Sequence, residues 1–179
     1  MQLDTAIEVI LRGAFLLLYG GALFHKLSDF GKFRATVATY VKDSPFFRFD
    51  LPFALCAILL ETLAVLACLN IIKGMAGVEF IADTLLLYAF AMWLNLRRGN
   101  VLLDCGCSWG SARHPIGYGL VARNIVLSCI AGILIVPSND RPLEFLDWIA
   151  IVSGLALMVL IYSIMSRISM NTAVINGIK

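Results

Sequence analysis

Charge is what this chain has least of. Asp, Glu, Lys and Arg together make up 15% of its 179 residues, while 60% are apolar. Soluble domains carry about a quarter charged residues, so this chain has too little polar surface to cover its apolar mass in water. Lipid is the solvent that the composition and the mean hydropathy of +0.89 call for. Histidine is scarce, with two residues, and the five cysteines include no Cys-x-x-Cys. That removes the commonest source of paired thiolates for structural zinc, and an odd cysteine count does not suit a disulfide scaffold. The net charge is only +2 and the basic residues are scattered, which argues against nucleic acid as a partner. A basic region ahead of the first apolar run is also missing. That run carries Glu8 and Arg12 and is expected to be a retained span rather than a cleaved signal.

What is present is a series of apolar runs. About 20 residues cross a bilayer, and the stretches 6–24, 52–72, 75–96, 116–136 and 143–165 are long enough or nearly so. Lipid offers no hydrogen bonds to the backbone, so spans must satisfy their own peptide groups as helices. The expected fold is all-α: one polytopic membrane bundle over 1–179, with five spans. Lys73-Gly74 and the stretch around Asn139-Asp140 predict tight helical hairpins. Between the first two runs, Ser28-Asp29 offers a helix N-cap. Phe30, Phe33, Val37 and Tyr40 then recur at helical spacing, which predicts a short amphipathic helix at the interface. Five spans place the first loop, the loop 97–115 and the C-terminal tail on one face. Lys32, Arg34, Arg97, Arg98, Arg113 and Arg167 belong to that face, whereas Lys73 and Arg141 are the only basic residues outside the spans on the other. The positive-inside rule puts the basic face in the cytoplasm.

The loop 97–115 holds Cys105-Gly106-Cys107. Two thiols this close form a disulfide only with backbone distortion, which the intervening glycine tolerates best. A strained disulfide is readily reduced, so the pair suits exchange better than permanent cross-linking. Arg97, Arg98 and Arg113 favour the thiolate, and Asp104 opposes it. A soft metal site is the rival reading, with His114 or His25 as a further ligand, but a second cysteine pair is absent and no metal is expected. Cys56 belongs near the dithiol face; Cys68 and Cys129 read as packing. Ionisable residues inside spans are each candidate sites. Glu8 and Arg12 are spaced to pair along one helix. Glu61, near mid-membrane, needs a partner or a proton, and Arg12 is one candidate partner. Glu79 and Asp83 share a helix face, suiting a proton or quinone path or interfacial snorkelling. Lys26, Asp29, Arg123 and Asn124 all fall at the dithiol end. Together they are expected to stabilise a thiolate or anchor a polar head group, with ordinary helix-end pairing as the plain alternative.

His25-Lys26-Leu27-Ser28-Asp29-Phe30 followed by Phe33 and Tyr40, Asp104-Cys105-Gly106-Cys107, and Leu120-Val121-Ala122-Arg123-Asn124 resemble the MauE family, within the MauE/DoxX-like group of redox-associated membrane proteins. Where that family shows a CGCFG-like stretch, this chain reads Cys-Gly-Cys-Ser-Trp-Gly, one residue longer. The resemblance implies a methylamine-utilisation factor in the bacterial cytoplasmic (inner) membrane. Such a factor would support disulfide formation or assembly of the disulfide-rich, exported small subunit of methylamine dehydrogenase, alongside a thioredoxin-like (MauD-like) partner. It implies Cys105 and Cys107 as the catalytic redox pair, surrounded by Lys26, Asp29, Arg123 and Asn124. Two alternatives stay open. One is a non-enzymatic scaffold that recruits partner and client. The other is a quinone-linked oxidoreductase, although the Cys-x-x-Cys and second cysteine pair usual in such enzymes are missing; quinone is thus the one cofactor to consider. An exported client also conflicts with a cytoplasmic dithiol.

Overall fold

A computed structural model describes residues 2–42, 48–72, 74–100, 116–139 and 141–177. Cys105, Cys107 and the rest of their segment, including Asp104, Arg113 and His114, lie outside the described residues. The chain forms α1 (Thr5–Ser28), α2 (Phe30–Val41), α3 (Asp50–Cys68), α4 (Gly74–Arg97), α5 (Tyr118–Ala131), a 3-10 turn (Gly132–Ile135) that prolongs α5, and α6 (Phe145–Gly177). Five of these, α2 excepted, are long and apolar enough to cross a membrane, counting α5 with its 3-10 turn. The protein is therefore a multi-pass helical bundle.

Packing order follows from which faces are small and apolar. α4 is sandwiched between α3 and α5, α1 lies on α3, and α6 bridges α1 and α5. Gly13 of α1 faces Leu155 of α6, and Gly154 of α6 faces Ile10 of α1. A Cβ at either glycine would come within 2.9 Å of the opposing side chain, so this pair of reciprocal notches sets how closely α1 and α6 approach. Two buried clusters fill the bundle. The larger joins Leu11, Phe15 and Tyr19 of α1 to Ala64 and Ala67 of α3 and Ile81 and Leu85 of α4. The smaller joins Ala89, Met92 and Leu96 of α4 to Ile116, Leu120 and Val121, with Tyr40, Tyr88 and Trp93 packed against it.

Helix ends account for most differences from the apolar runs. α3 stops at Cys68 rather than residue 72, because Asn70 takes a left-handed φ of 60°. The Asn70 N–H then donates to the Ala67 carbonyl and the Ile71 N–H to that of Leu66, the paired bonds of a Schellman cap. α4 ends in the same way, with Gly99 at φ 80° donating to Leu96 and Asn100 to Asn95. The chain thus enters the dithiol segment from a fixed cap. α1 runs on to Ser28, and Asp29 separates it from α2. The Asp29 carboxylate accepts from the Lys32 N–H at 3.0 Å, as expected of an N-cap. α6 continues to Gly177, past the expected end at 165, because neither proline nor glycine intervenes between 155 and 176.

The end of the bundle where α1 begins is clasped by polar contacts. Leu3 pairs with the chain at Pro137–Asn139 through two backbone hydrogen bonds. Arg141 forms a fork to Asp4 (2.9 and 3.2 Å) and another to Asp147 (both 2.7 Å). Asp4 also caps α1 by accepting from the Ala6 N–H at 2.8 Å. This carboxyl, outside the spans, is held below the usual aspartate value by hydrogen bonding from Arg141 and the Ala6 N–H, and Arg141 is correspondingly raised.

Candidate functional site

Glu61 is eleven residues into α3, about 16 Å along the helix, which is near the middle of an apolar layer about 30 Å thick. Its partner is not Arg12, as the sequence suggested, but Lys26. Arg12 is instead held by Glu8 on its own helix at 2.7 Å and by the Ala67 carbonyl at 2.9 Å. The Lys26 ammonium donates to Glu61 Oε1 and, at 2.9 Å, to the Tyr88 hydroxyl; that hydroxyl donates in turn to the same carboxylate oxygen at 2.8 Å. The rings of Tyr88 and Phe33 also face the ammonium at 4.7 and 4.9 Å. Lys26 and Glu61 retain 2% and 1% of their side-chain exposure. A lone ion at this depth is strongly unfavourable, and the pair persists because each charge neutralises the other. Glu61 Oε1 accepts twice, while Oε2 has no hydrogen-bond partner among the described residues.

The four residues expected to form one polar cluster have separate surroundings. Lys26 engages α2, α3 and α4. Asp29 is exposed and caps α2. Arg123 is buried between α5 and α6: Nε and Nη2 donate to Asn124 Oδ1 (3.3 and 3.2 Å), Nη1 donates to the Ser166 hydroxyl (2.8 Å), and the Tyr162 ring lies 4.9 Å away. No described residue bonds to both Lys26 and Arg123. Glu79 and Asp83 face outward on α4. Cys56 and Cys129 are exposed, Cys68 is buried in the larger cluster, and all three thiols are free.

Tyr88 was not visible from the sequence, where it is one aromatic residue in an apolar run. It joins two features, because its hydroxyl completes the ion pair while its ring packs on the smaller cluster. That cluster contains Leu96 and Ile116, which flank the dithiol segment on either side. The protein so defined is a multi-pass helical membrane protein with a buried ion pair joined by a tyrosine to the residues that flank a Cys-Gly-Cys segment. Residues 4–137 match the family model described as methylamine utilisation protein MauE, and the chain belongs to that family. The methylamine utilization protein MauE of Paracoccus denitrificans is 40% identical over 50 residues, which span 28% of this chain and 27% of that relative. No solved structure matches the chain.

Proposed function

We propose that this chain is a thiol–disulfide maturation factor for methylamine utilisation, working from the bacterial inner membrane through Cys105 and Cys107. The observation that carries the reading is the junction at Tyr88. Both flanks of the dithiol segment, Leu96 and Ile116, pack into one buried cluster, and the residue resting on that cluster also closes the Lys26–Glu61 pair. Burial of these two flanks fixes where the described chain leaves α4 and resumes before α5.

In the exchange, the thiolate of one cysteine attacks a sulfur of a partner disulfide. A mixed disulfide forms, and the partner's other sulfur leaves as a thiolate and takes a proton. The second cysteine, once deprotonated, attacks its neighbour in the mixed disulfide. The Cys105–Cys107 disulfide closes and the partner departs as a dithiol. Two electrons and two protons pass to the partner; run in reverse, the oxidised pair makes a disulfide in it. The partner class is a thioredoxin-like, MauD-like protein, and the client class is a disulfide-rich exported subunit such as that of methylamine dehydrogenase.

The test is a Cys105→Ser, Cys107→Ser double variant produced at the wild-type level. Loss of disulfide-complete client is expected, and unchanged client maturation would sink the reading. The basic excess at this end favours the cytoplasmic side, whereas direct service to an exported client requires the other. Labelling intact cells with a membrane-impermeant thiol reagent separates the two. Protected thiols mean that the dithiol exchanges with a cytoplasmic donor, and labelled thiols mean that it meets the client side directly.

A further inference from the structure

Arg123 differs from every other buried charge described here. Glu8 answers Arg12, and Lys26 answers Glu61. Arg123 is 8% exposed, yet all its partners are neutral: an amide, a hydroxyl and a phenol ring. These groups orient the guanidinium and leave its charge in place. Among the described residues, three of its five N–H donors are used and two are not. α5 contains no Asp or Glu, and neither does α6 beyond Asp147. The neighbouring charge is of the same sign, since Arg167 follows Ser166 and is exposed. The N-terminus of α5 adds to the positive field, because Gly117 provides no side-chain cap and the first N–H groups of a helix carry partial positive charge.

Depth identifies the missing partner. Arg123 is five residues into α5, about 7.5 Å along the axis, and helical side chains lean toward the N-terminus. Ser166, which it holds, directly follows the apolar run 143–165 and precedes Arg167. The guanidinium therefore reaches the level of the head groups, where phosphate is the abundant anion and Arg the side chain best shaped to grip it. We propose that Arg123, at the α5–α6 seam, binds a phosphate-type oxyanion, carried either by an anionic phospholipid head group or by free phosphate. The site does not depend on the dithiol reading. Its α6 half lies outside the residues that match the family model.

The full chain, purified in detergent, is titrated with short-chain phosphatidylglycerol, short-chain phosphatidylcholine and inorganic phosphate while its thermal unfolding midpoint is followed. Phosphatidylglycerol should raise the midpoint saturably and phosphatidylcholine should not. Arg123→Gln should abolish the response, and Arg123→Lys, which keeps the charge but loses the planar fork, should weaken it about tenfold, the scale of one charged hydrogen bond. Inorganic phosphate that saturates the response alone and blocks phosphatidylglycerol assigns the site to the soluble anion; failure to compete assigns it to lipid. Should Arg123→Gln not be recovered folded, a photoactivatable phosphatidylglycerol on the wild-type protein should cross-link to peptides holding Arg123 or Ser166. An undiminished response in Arg123→Gln, equal stabilisation by both lipids, or cross-links only to other helices would overturn the proposal.

Discussion

Two of the ion-pair groups among the described residues invite comparison, one at the edge of the bundle and one in its interior. At the edge, Arg141 grips Asp4 and Asp147 with side-chain exposures of 35%, 38% and 16%, and water can reach every partner. In the interior, Lys26 and Glu61 are sealed among α1, α2, α3 and α4 with Tyr88 between them. The edge network uses its charges to fasten the N-terminus and α6 to the α5–α6 connection, a task for which geometry suffices. A buried pair is a poor fastener, because desolvating two ions offsets most of their attraction and apolar residues of equal volume often stabilise as well or better. Retaining ions in the more demanding position points to a use for charge.

The comparison breaks most sharply at Lys26. Lys26→Met leaves Glu61 buried without a counter-charge and should destabilise the protein by about 3–5 kcal/mol, read as a loss of unfolding midpoint in detergent. Adding Glu61→Leu should recover most of that loss while client maturation stays impaired. Recovery of both would make the buried pair a packing feature. Tyr88→Phe, which removes one hydroxyl shared by both ions, should cost about 1–2 kcal/mol and reduce maturation without abolishing it. At the edge, Arg141→Gln should give a smaller shift in midpoint and leave maturation unchanged. The smallest effect is the acid response of the clasp. Asp4 has a native value below its ordinary 3.8, so its contribution is complete above about pH 4 and is lost as pH falls through the lower native value. Acidification below pH 4 should therefore lower the wild-type midpoint more than that of Arg141→Gln.

The architecture was legible because hydropathy reports depth. Five apolar runs became five helices, Asp29 capped α2, and Glu8 met Arg12 one turn away. Hydropathy is silent on two matters that shaped the site. It does not register backbone conformation, so it could not show that a left-handed Asn70 would end α3 at Cys68. It also carries no information on the register between helices. Glu61 advertised its need for a cation, but choosing Lys26 over Arg12 requires knowing how far α1 slides along α3. Tyr88 stayed hidden for the same reason, since only the approach of α4 turns an ordinary aromatic residue into the bridge between an ion pair and the flanks of the dithiol segment.

The central proposal is that Cys105 and Cys107 work as an exchanging pair that depends on the buried Lys26–Glu61 pair and Tyr88. Its most direct measurement is the redox state of these two thiols in cells, fixed by rapid acid quenching and read as a gel shift after alkylation. We predict that the wild-type pair is divided between dithiol and disulfide, that removing the thioredoxin-like partner drives it to one form, and that Glu61→Gln slows its return after a reductant pulse. Two thiols that stay fully reduced in every background would contradict the account.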